Sequence, residues 1–193
     1  MEARDNEHEE EMKTEERAEN EAVVEERKEM EMEAERKEVI EERRQDEEIE
    51  NLVRRLKGDW KVNVTVTKPD GSTSNGKGKV RTADLVSRKG IRGTLELNVD
   101  GGERYFEDNL WAVDPITRKV HNYSVKSDGS VHDHVGAWRD DDSLELHWEG
   151  TYQDRPLMEY YEYKWVSPKE IRVHRVDTAE GEQVFVSDYV LRR

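Results

Sequence analysis

The sequence predicts a mainly β protein, a closed antiparallel up-and-down β-barrel of about nine or ten strands preceded by a long charged N-terminal α-helix. All twelve glycines, all four prolines and every aromatic residue lie from Gly58 onward. Beyond Gly58, apolar residues recur at every second position, which is the period of a strand with one buried face. Turn-forming residues interrupt these runs at short intervals. We therefore divide the chain into a tail at 1–20, a helix at 21–57 and a barrel domain at 58–193.

The segment before Gly58 has the composition of a solvated helix. From position 21 to 57 the residues are mostly Glu, Arg, Lys, Ala, Met and Leu, with no Gly or Pro among them, and most of these are strong helix formers. Oppositely charged residues three or four positions apart support the helix without a core. Residues 1–20 are acidic, and we expect them to form a disordered tail.

The end of this helix carries a short apolar seam. Ile49, Leu52, Val53 and Leu56 recur at helical spacing, so this stretch should dock on the domain that follows. A coiled coil is not predicted, because counting back in sevens from Ile49 reaches only charged residues. Two interpretations of the helix stay open: a solvated helix that frays toward its start, and a helix that pairs with a partner or another copy.

The strands of the barrel domain are indicated by alternation and by the turns between them. The alternating runs are Trp60 to Val66, Ile91 to Val99, Leu144 to Trp148, Tyr161 to Trp165, Ile171 with Val173, and Val184 with Val186. The turns are Lys68 to Gly71, Asp100 to Gly102, Ser127 to Gly129, Asp140 to Asp142, and Ala179 to Gly181. No segment is long enough for a helical crossover, so the sheet should be antiparallel. A meander of this length closes to remove its exposed edges, whereas a sandwich would need long connections.

Several motifs of the barrel domain carry a family resemblance. They are Gly58-Asp59-Trp60, Pro69-Asp70-Gly71, Trp111 with the run 114–119, Ser127-Asp128-Gly129, and Tyr189 to Arg193. On these motifs, residues 58–193 resemble the uncharacterised DUF1579 group, which is similar to the calycin superfamily of lipocalin and fatty-acid-binding-protein barrels. The resemblance does not extend to the helix. It implies a lipocalin-like closure, in which Arg192 or Arg193 packs over the Trp60 indole, and it names no ligand.

Charge and cysteine content exclude several functions. The chain has a net charge of -15, and no basic stripe suited to a phosphate backbone occurs in it. It has no cysteine, which removes disulfides, zinc thiolate sites and thiol nucleophiles. We expect no nucleic-acid partner. No apolar run is long enough for a membrane helix and the start is acidic, so we expect a soluble, cytoplasmic protein.

Three histidines are weak candidates for a metal or heme site. His132 and His134 are two residues apart, so they share one face of a strand, and the turn after them could bring His147 opposite. Three imidazoles on one face can bind zinc, copper or a heme iron. However, His147 lies between Glu145 and Glu149 in a run whose other face is apolar. The alternative is that all three are surface histidines paired with acidic neighbours, and no cofactor is predicted outright.

The aromatic residues of the barrel are the candidate ligand-binding set, because such side chains can stack on a flat or lipid-like ligand. The candidates are Trp111, Tyr123, Trp138, Trp148, Tyr161, Tyr163 and Trp165, with Arg175 as a polar contact. The same side chains can also simply fill the interior, and both interpretations stay open.

Three functions follow from these observations. The first is a binding module for a small apolar or aromatic molecule. The second is an interaction or scaffold protein, in which the acidic helix engages a protein partner or another copy. The third, less favoured, is an enzyme with a base such as His121 or Glu162 in the barrel mouth, and no catalytic motif supports it.

Overall fold

The computed structural model describes residues 27–40, 47–85, 89–102, 104–152 and 154–193. Two compact units divide the chain, Met1–Arg44 and Gln45–Arg193. In the first unit, helix α1 covers residues 27–40, and all of its side chains are exposed. The predicted tail at 1–20 and the helical positions 21–26 and 41–46 lie outside the described residues.

The second unit begins with helix α2 at residues 47–56 and continues as ten strands in the described part of the chain. The strands are β1 Asp59–Thr67, β2 Thr73–Asp84, β3 Ile91–Val99, β4 Arg104–Val113, β5 Val120–Lys126, β6 Val131–Asp140, β7 Ser143–Tyr152, β8 Arg155–Ser167, β9 Glu170–Ala179 and β10 Glu182–Arg192. Each strand pairs antiparallel with the next, and β1 pairs with β10 to close the barrel. The predicted fold class is confirmed.

Helix α2 covers one end of the barrel. Its side chains Ile49, Leu52 and Leu56 are buried in the same cluster as the barrel residues Trp60 and Trp111. This agrees with the apolar seam in the sequence, because residues three and four apart share one face of a helix. The barrel end is thus closed by side chains of its own chain.

Polar contacts fix α2 in this position. The Trp60 indole Nε1 donates to the carbonyl oxygen of Leu56 at 2.8 Å, and the Thr82 hydroxyl donates to the same oxygen at 3.0 Å. Arg118 donates twice to the Glu48 carboxylate, at 2.6 and 3.2 Å. The carbonyl groups of the last helical turn have no partner within the helix. Trp60 and Thr82 therefore provide hydrogen-bond donors for the Leu56 carbonyl.

A cation packs over the first tryptophan of the barrel, as in the lipocalin-like closure, but the residue is Arg193. Its guanidinium carbon lies 4.4 Å from the Trp60 ring centroid, and the same group donates to the carbonyl oxygen of Pro168. Of the two residues expected there, Arg192 does not take this position, since it is exposed and donates instead to the Glu170 carboxylate at 2.9 Å. Alternation explains the difference, because Leu191 and Arg193 share a face that Arg192 does not.

Candidate functional site

The barrel interior contains a cavity of about 90 Å³ beneath α2, called here the capped cavity. Leu56 of α2 lines it together with barrel residues whose side chains are mostly apolar or aromatic. The lining is completed by Trp60, Val62, Val80, Thr82, Gly93, Leu95, Glu107, Asn109, Trp111, Asn122, Tyr161, Tyr163, Ile171, Val173, Tyr189 and Leu191. The capped cavity is therefore an apolar space with a few polar groups at fixed places.

Two of those polar groups lie on neighbouring strands and are almost fully buried. Glu107 on β4 is 8% exposed, and its carboxylate accepts a hydrogen bond from the Tyr105 hydroxyl. Asn122 on β5 is 4% exposed, and its Oδ1 has no hydrogen-bond partner among the described residues. A buried acceptor without a partner costs about 1–3 kcal/mol, so a donor from outside the chain would be stabilised at this position.

Ionised side chains meet in a buried cluster on the interior faces of β5, β6, β8 and β9. This charged cluster consists of Lys126, His132, His134, Glu159, Arg175 and Asp177. Glu159 is at its centre and 1% exposed. Its carboxylate receives Lys126 Nζ at 2.8 and 3.0 Å, Arg175 Nη2 at 3.0 Å and His134 Nε2 at 2.8 Å. Burial of these charges is tolerable because each one is paired and hydrogen-bonded.

The hydrogen bonds of the charged cluster assign the histidine tautomers. His132 Nδ1 lies 2.9 Å from Lys126 Nζ and 3.2 Å from Glu159 Oε2. An ammonium only donates, so the shorter contact makes His132 Nδ1 an acceptor. His134 donates from Nε2 to Glu159, while its buried Nδ1 has no partner among the described residues.

The surroundings shift several pKa values in the interior. Burial opposes ionisation of Glu159, but the contacts with His132 and His134 and the charges of Arg175 and Lys126 outweigh it and hold its pKa well below the ordinary value. Burial raises the pKa of Asp177, although Arg175 acts in the opposite direction. Burial also raises the pKa of Tyr161, so this phenol stays protonated.

His132, His134 and Glu159 form the one candidate metal-ligand set found in the described part of the chain, with ligating atoms within 4.8 Å of one another. His147 does not belong to it, since its side chain is exposed and its register partner is Val135. The ammonium of Lys126 already contacts two of the three ligands. It fills the position of a cation, so a metal ion would have to displace it.

A second cavity, of about 350 Å³, lies along the charged cluster. Lys126, His132, Glu159, Arg175 and Asp177 line it. Their charges are already paired with one another. These five side chains therefore give the second cavity polar walls in which their own charges are already paired.

The structure distributes the predicted aromatic residues over four places. Trp111, Tyr161 and Tyr163 line the capped cavity. Arg55 of α2 lies over Trp138 and Trp165, at 5.3 and 5.5 Å from the ring centroids, which gives these two rings a role in holding α2.

The remaining predicted residues lie elsewhere. Trp148 stacks on His132 with ring centroids 3.6 Å apart, and Arg175 joins the charged cluster. The expectation for Tyr123 is wrong, because it is 46% exposed on the outer face. Its neighbours Asn122 and Ser124 point inward, and alternation places Tyr123 on the opposite side. His121 is also partly exposed and contacts Asp133 at 3.0 Å.

The sequence reasoning missed Glu107, Lys126, Glu159 and Asp177. Each of them stands at an even spacing from an inward residue, as Glu107 does from Trp111 and Glu159 from Tyr161 and Trp165. Residues two or four apart on a strand share a face. This parity could have identified them, but charged residues are rarely buried, which favoured an outer position.

Comparisons with known proteins reveal a similarity of fold to solved structures. No protein-family model and no curated protein matches the sequence. Among solved structures, the S-type phycobiliprotein lyase CPES from Guillardia theta matches with a TM-score of 0.57 and 12% identity, over 75% of this chain and 92% of that chain. EF1p2_mFAP2b bound to DFHBI gives 0.43 at 13% identity, over 75% and 98%. The redesigned β-barrel mFAP1 bound to DFHBI gives 0.39 at 14%, over 73% and 97%.

Of these three, the lyase alone exceeds a TM-score of 0.5. The chain is thus a β-barrel similar in fold to that lyase. Identities this low carry fold and not function.

Proposed function

We propose that the barrel is a binding module for a small apolar or aromatic molecule held in the capped cavity. The observation that carries the proposal is an interior space with aromatic walls and an unpaired buried acceptor on Asn122. Ligand sites of proteins are typically concave, mostly apolar and equipped with a few placed polar groups.

The side chains of the barrel do not fill its interior completely. An empty space costs about 24 cal/mol per Å³, so the capped cavity of about 90 Å³ costs roughly 2 kcal/mol. A larger side chain at Gly93 would reduce it, since a Cβ added there meets nothing closer than 3.5 Å. A sequence under selection for stability alone would gain from that change, so retention of the space favours an occupant.

The volume limits the size of the occupant. The capped cavity measures about 90 Å³. Sites for drug-sized ligands are about 300 Å³ or more. The capped cavity as it stands therefore suits a compact molecule, and a fatty acid, retinoid or heme would require α2 to move.

The test is a titration of the full chain with isobutanol and phenol, followed by tryptophan fluorescence and calorimetry. Binding is expected, and Gly93→Val should weaken it about tenfold or more because two methyl groups enter the capped cavity. Asn98→Val is the matched control, since Asn98 is exposed on the same strand. Native mass spectrometry of freshly purified protein should also reveal a bound species. A bare mass together with titrations that show no binding would contradict the proposal.

A second function is favoured by one observation on α1. Met30, Met32, Val39 and Ile40 are 45–60% exposed, and exposed apolar side chains on a charged helix suit a protein partner. We propose that this helix engages a protein or another copy, so deletion of residues 1–44 should abolish capture in pull-downs. A deletion variant that captures the same proteins would rule this out.

We also propose a family and a cellular location for the chain. Membership of the DUF1579 group rests on the quoted motifs, and the cytoplasmic location rests on the cysteine-free, acidic composition. Within the described residues, neither helix has the length and apolarity needed to cross a bilayer. Cell fractionation tests the location.

A further inference from the structure

The charges inside the barrel do not balance. Among the described residues, the buried carboxylates of the interior are Glu107, Glu159 and Asp177, whereas the interior cations are Lys126 and Arg175. The acidic side chains of the interior thus outnumber its lysine and arginine side chains by three to two.

Two of the carboxylates are fully paired. Lys126 Nζ uses its three protons on Glu159 Oε1, Glu159 Oε2 and His132 Nδ1. Arg175 binds Asp177 through two hydrogen bonds of 2.6 Å and Glu159 through a third of 3.0 Å. Lys126 therefore has no donor left for another carboxylate, and the ion pairs of Arg175 go to Asp177 and Glu159.

Glu107 is the carboxylate without a cation. Although Lys126 is its register partner on β5, the ammonium is directed to Glu159 instead. In the part of the chain that the structure describes, no basic group lies within 4.0 Å of the Glu107 carboxylate, and its one hydrogen bond comes from the Tyr105 hydroxyl. An unpaired buried charge is costly, so a cation that reaches Glu107 gains most of that energy back.

The capped cavity leads directly to this carboxylate. Glu107 is the sole acidic residue of its lining, which contains no Lys, Arg or His. The unpaired Asn122 Oδ1 offers a second acceptor on the neighbouring strand. Glu107 and Asn122 therefore place two acceptor groups on the wall of the capped cavity.

We propose that the ligand of the capped cavity is a small aliphatic or arylalkyl amine in its ammonium form, with the ammonium group on Glu107 and Asn122 and the hydrocarbon against Trp60, Trp111 and Leu56. This inference rests on the proposed function and names its ligand class. An ammonium supplies three donors, which suits a carboxylate and an amide oxygen. The aromatic walls add a favourable surface for a cation and its hydrocarbon. Carboxylic acids are excluded, because they would place a second negative charge beside Glu107.

The experiment compares three ligands of nearly equal shape, isobutylamine, isobutanol and isobutyrate, by calorimetry on the full chain. The wild-type protein should bind the amine about tenfold or more tightly than the alcohol and should not bind the acid. In Glu107→Gln, which keeps the shape and the Tyr105 contact, affinity for the amine should fall about 30-fold or more. Affinity for the alcohol should change by less than about threefold.

Two further variants complete the experiment. Glu149→Gln is the matched control, since Glu149 is exposed on the outer face, and it should leave all three affinities unchanged. Asn122→Leu removes the second acceptor and should lower affinity for the amine about tenfold, which keeps the test valid if Glu107→Gln fails to fold.

The outcomes separate this inference from the proposed function. If wild-type protein binds the alcohol as tightly as the amine, the ligand class is wrong and the binding module stands. Equal affinity of Glu107→Gln and wild type for the amine would also overturn it. If neither the amine nor the alcohol binds, both proposals fall.

Discussion

Glu159 organises the polar interior of the barrel through contacts with four other side chains. It accepts from Lys126, Arg175 and His134 while only 1% exposed. Removing one partner of a buried ion pair leaves the others short of their counter-charge, which is far more harmful than the pair is beneficial. Its carboxylate is therefore the residue whose loss the barrel should tolerate least.

Replacing Glu159 with Gln should lower the free energy of unfolding by about 3 kcal/mol at neutral pH, because Lys126 and Arg175 lose their shared counter-charge. The effect should also depend on pH. The pKa of Glu159 is lowered in the folded state, so its stabilisation is present above the unfolded value of about 4.3 and is lost as pH falls into the acid range. Urea unfolding from pH 7 down to pH 3 should show the difference between wild type and Glu159→Gln shrinking.

The exposed residue Glu149 supplies the control for that series, and Glu149→Gln should stay within about 0.5 kcal/mol of wild type throughout. Parallel pH profiles for wild type and Glu159→Gln would contradict the central role of Glu159.

Inward-facing residues were predictable where an apolar side chain stands at an inward position of the strand alternation. They were missed where the alternation pointed inward but the side chain is charged. Trp60 and Trp111 are apolar residues at inward positions, and both are buried. Glu107 and Glu159 also stand at inward positions, but charged residues are usually exposed to solvent, which favoured an outer position for both. Only the tertiary structure provides the partners that make Glu159 tolerable inside, so the sequence alone could not decide that case.

At the scale of elements, α2 shows what a four-residue apolar seam can establish. The spacing of Ile49, Leu52 and Leu56 predicted docking, and all three side chains are buried. The seam could not identify the partners of α2, because they come from segments distant in sequence. Arg118 lies in the connection between β4 and β5, and Thr82 lies on β2.

Leu52→Ala should destabilise the second unit by about 2–5 kcal/mol, because Leu52 is fully buried in the main core cluster and a cavity would replace its side chain. Chemical denaturation followed by tryptophan fluorescence measures the change. Arg54→Ala serves as the control on an exposed position of the same helix and should alter stability by less than about 0.5 kcal/mol. Equal stability of Leu52→Ala and wild type would show that α2 does not dock as described.

Strand β2 could not be predicted from the alternation of apolar residues. Its sequence has little apolar alternation, with Val80 the one large apolar side chain, so no run predicted it. Gly78 explains why the strand nevertheless fits, since a Cβ there would lie 1.9 Å from the carbonyl oxygen of Glu96 on β3. Glycine in a strand often marks such a close approach of two backbones. The spacing of apolar side chains does not reveal this approach, because glycine has no side chain.

For the whole molecule, the closed topology was predictable because closure follows from general constraints and not from particular contacts. Short turns and the absence of a helical crossover leave an antiparallel meander, and pairing of β1 with β10 removes its two edges. The interior volume was not predictable in the same way. Whether Trp111, Tyr161 and Tyr163 fill the barrel or border a space depends on packing to within a single side chain.

The division of the chain into two units leads to a prediction for the whole molecule. Deleting residues 1–44 should leave the thermal midpoint of the barrel unchanged, because every described side chain of α1 is exposed. Deleting residues 1–57 should lower the midpoint by several degrees, because Ile49, Leu52 and Leu56 are lost from the core. Calorimetry on both variants measures the two shifts. A clear drop in midpoint for the shorter deletion would mean that the first unit also stabilises the barrel.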